Sequence, residues 1–213
     1  MGEWRLWTKR GLSVLFVMAT EQEYGPELRA RIHPLITGVG PVEAASVTGA
    51  VLGELKAEGE LPKLVFSLGS AGSRNLEHAE VYQLASVSYR DMDCSPLGFA
   101  RGRVPFLNED AVVSIALQIP GIASASIATG ASIVSGAMYE GIGADMVDME
   151  SYAVYRAAKH FGVPMIGLRG ITDGRTELSK YEDWADYLHI VDHKLAADID
   201  RFSAAVESGA FSL

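Results

Sequence analysis

The chain has 213 residues, 48% of them hydrophobic, with 22 Gly and a formal net charge of −9, a composition that supports a large buried core and excludes a disordered chain. The acidic balance argues against a nucleic-acid or anionic-membrane surface, which needs clustered Lys and Arg. Cys94 is the one cysteine and cannot form an intrachain disulfide, so a reducing, cytoplasmic setting is expected.

Arg5, Lys9 and Arg10 precede an apolar run that begins at Leu12 and ends at Ala19. The run is far short of the ~20 residues a membrane span takes, and it passes into Glu21-Gln22-Glu23; a buried strand ending at a polar site explains it better than a signal peptide. Gly11–Ala19 therefore reads as a strand and Gln22–Arg31 as a helix. Pro41 suits the first turn of a longer helix in which Val42, Ala45, Val51, Leu52 and Leu55 recur at helical spacing. Leu64–Leu68 is a second buried strand, ending in Gly69-Ser70-Ala71-Gly72. Val81–Tyr89 and Ser124–Ala128 follow as strands, and Val147–Met149 as a strand end leading into a helix over Glu150–Phe161. Gly162-Val163-Pro164 breaks that helix, Met165–Ile171 returns as a strand, and Tyr187, Val191, Leu195, Ile199 and Phe202 share one face of a terminal helix.

Continuously apolar strands interleaved with helices predict an α/β fold: a three-layer α/β/α sandwich around a mixed, mostly parallel sheet. With no repeat, low-complexity segment or linker, one domain over residues 1–213 is expected. Ligands of such sheets bind beyond the carboxyl ends of the strands. Four of those ends carry Glu21 and Glu23, Ser70 in its Gly-rich turn, Asp148-Met149-Glu150, and Arg169-Gly170-Ile171-Thr172-Asp173. Singly each has a structural explanation, as a helix-dipole acid or a turn residue. Arg169 is the hardest to explain so, because an Arg within an apolar strand must be paired. Together they set carboxylates, an Arg and a hydroxyl on one rim, a constellation suited to acid–base work on a neutral polar ligand.

The segments Ala19-Thr20-Glu21-Gln22-Glu23, Gly38-Val39-Gly40, Gly69-Ser70-Ala71-Gly72, Val147-Asp148-Met149-Glu150 and Arg169-Gly170-Ile171-Thr172-Asp173 resemble, in order and approximate spacing, the bacterial 5′-methylthioadenosine/S-adenosylhomocysteine nucleosidases of the purine nucleoside phosphorylase/uridine phosphorylase superfamily. The resemblance runs from about residue 11 to about residue 206. It implies a nucleoside phosphorylase-like fold and hydrolysis of an N-glycosidic bond, releasing adenine. Glu23 would be the general base that activates water, while Ser70 and Arg169 would hold that water and the ribose edge. Met149 would pack on the ribose, Glu150 would accept bonds from its hydroxyls, and Asp173 would protonate or hydrogen-bond the purine N7. Gly72, Val134 and Thr172 would complete the substrate surface, with Ile133 where the family usually stacks an aromatic ring on the base. N-ribosyl cleavage needs these parts, since the leaving purine is poor until protonated and the sugar becomes oxocarbenium-like.

Phosphorylases of the superfamily present Arg side chains to phosphate near the first strand end and before the Gly-rich turn. Here those places hold Glu21, Glu23 and Ser67-Leu68, leaving Arg29, Arg31 and Arg74 as possible substitutes. Water is therefore favoured over phosphate as nucleophile, with a purine nucleoside phosphorylase or a non-catalytic nucleoside-binding protein as the alternatives. Met92, Phe99 and Phe106 are candidates for the 5′ pocket. No cofactor is expected and no metal: of the five His, only His189 and His193 are at i, i+4. The resemblance also implies a homo-oligomer, with a dimer favoured.

Overall fold

The computed structural model of the chain describes residues 3–175, 177 and 180–213, so Met1 and Gly2 of the basic N-terminal stretch lie outside the described residues. Its strands are β1 Trp7–Lys9, β2 Leu12–Met18, β3 Leu35–Ile36, β4 Leu64–Gly72, β5 Val81–Tyr89, β6 Val112–Ser114, β7 Ser124–Thr129, β8 Met146–Asp148 and β9 Met165–Asp173. The helices are α1 Pro26–Arg29, α2 Pro41–Glu58, α3 Ser151–His160, α4 Tyr181–Ala185 and α5 Leu188–Ser208.

The sheet is mixed; the alternation with helices accounts for its parallel pairings. β2 lies parallel to β3 and β4, β4 to β9, and β7 to β5 and β8; β1, β6 and the contacts β4–β8 and β5–β9 are antiparallel. The route β4–β9–β5–β7–β8 returns to β4 through Gly72 opposite Val147, so the central strands close on themselves. Helix α5 packs on β9, β1, β4 and β5 and carries α1, while α2 and α3 pack on each other. The rings of Phe16 and Phe66 stack at 5.2 Å, and Phe202 of α5 meets Phe66 edge-on at 5.1 Å.

Two local readings are corrected. Residues 69–72 are not a turn but the end of β4, because they pair with the equally long β9: Gly69 faces Arg169, Ser70 faces Gly170, and Gly72 faces Asp173 after a register shift. Gln22–Arg31 is not one helix. It is a 3-10 turn at Glu21–Glu23, an extended Gly25 (φ −81°, ψ −179°), and the four-residue α1. Pro26 removes a backbone donor and holds the residue before it extended.

Candidate active site

The strand ends open onto one cavity of about 660 Å³. Of the residues singled out in the sequence, Glu23, Ser70, Gly72, Ile133, Val134, Met149, Glu150 and Asp173 line it; Arg169 and Thr172 do not. Arg169 instead lines a small pocket between Glu23, Ser70 and Glu150, and Thr172 is buried with its hydroxyl on Asp173. Met92, Phe99 and Phe106 are also absent from the lining, and Phe106 is 94% exposed beside Phe99.

Glu23 follows directly from the end of β2 because Thr20 caps the 3-10 turn, its hydroxyl accepting the Gln22 N–H. One carboxylate oxygen, Oε1, accepts from the Ser70 N–H at 2.7 Å and from the Ser70 hydroxyl at 2.6 Å. The other, Oε2, is buried with no protein partner. Burial pushes the Glu23 carboxyl above its ordinary value, against the two Ser70 bonds and the Arg169 charge. The result is a stronger base than a surface Glu, with one oxygen free to take a proton.

Glu150 stands at the head of α3, where its Oε1 accepts the Gly40 N–H at 2.8 Å. Burial, followed by the neighbouring Asp148 charge, raises its pKa to about 7. Asp173 ends β9, and its Oδ1 accepts the Thr172 hydroxyl at 2.9 Å. Burial raises this carboxyl too, despite the Thr172 bond, which favours the protonated form a general acid needs.

Under these acids lies a buried ion pair. Arg169 Nη2 is 3.1 Å from Asp148 Oδ2, with side-chain exposures of 2% and 1%, and the same nitrogen donates to Ser67 Oγ at 2.9 Å. Asp148 also accepts from the Thr129 hydroxyl at 2.6 Å and the Ser151 N–H at 2.9 Å. The cost of burying both charges is thus offset by a complete set of donors. Arg169 acts on the site through its field, which holds down both Glu23 and Glu150.

A small pocket of about 10 Å³ opens between Arg169, Ser70, Glu23 and Glu150. It is the size of one water molecule. The three arginines considered as phosphate ligands do not line the main cavity. Arg29 pairs with Glu21, Arg31 with Asp200 and Glu27, and Arg74 lies over the Tyr139 ring.

The structure adds residues that the sequence reading passed over. Trp184 of α4 donates its indole N–H to Ser70 Oγ at 2.9 Å, and Tyr181 meets Trp184 edge-on and joins it in the cavity wall. The aromatic cluster Tyr181, Trp184 and Tyr187 after β9 was the available signal. Arg90 at the rim bonds Ser132 and Asp91, fixing the segment that carries Ile133. Among the described residues, no group of three or more His, Cys, Asp or Glu is placed to hold a metal ion, and no helix is long and apolar enough to cross a membrane.

A cavity walled by strand-end acids on a mixed α/β sheet suits acid–base chemistry on a polar ligand. A family model described as the phosphorylase superfamily matches residues 27–203, and the chain belongs to that superfamily. It is similar to the 5′-methylthioadenosine/S-adenosylhomocysteine nucleosidase of Haemophilus influenzae (strain PittEE), 30% identical over 159 residues, which cover 66% of this chain and 67% of that one. The matches span about two-thirds of such relatives' own length. The corresponding nucleosidase of Neisseria meningitidis, solved with methylthio-immucillin-A, superposes with a TM-score of 0.73 at 20% identity, covering 92% of this chain and 98% of that one. A futalosine hydrolase mutant of Helicobacter pylori gives 0.71 at 17% identity, with the same coverage. These two superpositions establish the fold.

Proposed function

We propose that the chain is a nucleosidase that hydrolyses the N-glycosidic bond of an adenine nucleoside with a modified 5′ group, such as methylthioadenosine or S-adenosylhomocysteine. The 10 Å³ pocket beside the unpartnered Glu23 Oε2 carries the choice of water. It is the size of one water, and a dianion there would face Glu23 and Glu150, with Arg169 already paired to Asp148. Glu23 takes the proton of the attacking water while Ser70 keeps the carboxylate oriented. Glu150 accepts from the ribose hydroxyls, and Met149 packs on the sugar. Asp173 delivers its proton to the purine N7 as the C–N bond breaks and the electron pair leaves with the base.

Ile133 and Val134 form the wall beside the base, so adenine is held by an aliphatic face and by backbone groups. Arg169 and Thr172 act from below as positioning residues for Glu23, Glu150 and Asp173. The reading extends to a homodimer in a reducing cytoplasm, supported by the family resemblance and by a single cysteine.

The test is incubation with methylthioadenosine, S-adenosylhomocysteine, adenosine and inosine, with and without phosphate. Adenine should be released without phosphate, and Glu23→Gln and Asp173→Asn should each slow release by a factor of about 10²–10⁴. Ribose 1-phosphate formed only when phosphate is present would refute the choice of water, and unchanged rates in both variants would refute the assignment of roles.

A further inference from the structure

One buried polar group beside the cavity has no part in the chemistry above. Tyr139 ends the 3-10 turn Gly136–Tyr139, is 9% exposed, and packs with Val134, Val147 and Ile142 in a small apolar cluster. Its hydroxyl is buried without a hydrogen-bond partner. An unbonded phenol O–H in such a place costs free energy that a phenylalanine would not, which points to a use for the hydroxyl.

Two glycines make room for it. A Cβ on Gly72 would lie 2.5 Å from the Tyr139 hydroxyl oxygen and 2.7 Å from Asp173 Oδ2. A Cβ on Gly174, at φ 110°, would lie 2.5 Å from the same hydroxyl oxygen. The phenol and the carboxylate thus flank one point above Gly72. Asp173 Oδ1 is already taken by Thr172; Oδ2 is the oxygen beside the phenol.

We propose that Tyr139 is a positioning residue for the proton donor: a small shift of the ring brings its O–H onto Asp173 Oδ2 as Asp173 gives its proton to the base, and so holds the carboxylate that the transfer leaves behind. The inference rests on the role given to Asp173 in the nucleosidase reading. The proton moves from the carboxyl to N7, the bonding pair goes to the base, and the phenol keeps its own proton. Burial and the Asp173 charge raise the phenol well above its ordinary value, so it serves as a donor and never as a base. The other charged groups facing the pair are His78, whose charge reaches Asp173, Arg74 at 5.6 Å over the Tyr139 ring, and Arg90, felt at Tyr139. Glu177 sits against Gly136 at the start of the turn.

Tyr139→Phe keeps the ring and deletes the hydroxyl. The alkaline limb of kcat/KM for base release, where Asp173 loses its proton, should move up by about one pH unit, and kcat should fall about tenfold at nearly constant KM. A purely structural role would lower stability and leave the limb in place. His78→Gln should not abolish the displacement produced by Tyr139→Phe, which separates the phenol from the imidazole. If Tyr139→Phe does not fold, replacing Tyr139 with 3-fluorotyrosine, a stronger donor of nearly the same shape, should move the limb down. An unmoved limb overturns the proposal. Full base release by Asp173→Asn overturns the parent reading with it, whereas activity lost in Asp173→Asn beside an unmoved limb in Tyr139→Phe overturns this inference alone.

Discussion

Replacing Glu150 by Gln separates what the cavity needs from what the fold prefers. Burial and the Asp148 charge carry this carboxyl from an ordinary 4.5 to about 7, against the pull of the Gly40 N–H. Because the folded value lies above the unfolded one, ionising Glu150 works against folding. Its stabilising contribution is complete below pH 4.5 and is lost as pH rises through 7. At about 1.4 kcal/mol per pH unit the full interval amounts to about 3 kcal/mol, and solvent screening of a partly exposed side chain reduces this to about 2 kcal/mol. Glu150→Gln keeps an acceptor for Gly40 and drops the charge. Urea unfolding should find the variant and the native chain equally stable at pH 4. At pH 8.5 the variant should be more stable by about 2 kcal/mol, about 4–8 °C in Tm for a chain of this size. Nucleoside binding should be lost in the same variant. A stability difference between the two chains that does not change with pH would refute the electrostatic reading of this site.

Arg169→Met leaves Asp148 buried without its charge partner and should cost about 3–5 kcal/mol, read as a Tm lower by about 10 °C. Since the Arg169 charge holds down both Glu23 and Glu150, any residual activity should show an acid limb displaced to higher pH. Trp184→Phe removes the 2.9 Å bond to Ser70 while Ser70 still donates to Glu23. It should lower kcat by about tenfold with an unchanged unfolding midpoint, measured by adenine release and by thermal melting.

The strands buried along most of their length were legible because their apolar runs need no partner to be recognised: β2, β4 and β9 start within a residue of where the sequence sets them. The cavity-lining acids were legible only together: each follows an apolar strand on the rim where ligands of such sheets bind, although singly each has a structural explanation. What escaped depends on contacts remote in sequence. The apolar run around Arg169 marked it as a side chain in need of a partner, but the partners themselves, Asp148 at 21 positions and Ser67 at 102, lie too far along the chain to be read. Trp184 reaches Ser70 across 114 positions, from a helix of five residues, too short to stand out in the sequence. The extension of β4 through Gly69–Gly72 was hidden because glycines read as punctuation until the opposing strand is known.

The closed route of strands has a consequence for motion. An open sheet frays from its outer strands inward, and amide exchange begins there. In this chain the fraying ends are β1, β3 and β6, whereas Ser70, Asp148 and Asp173 lie on β4, β8 and β9, inside a loop of pairings that has no outer strand. Local opening can therefore strip the margins of the molecule while the relative positions of these groups persist until the whole sheet gives way.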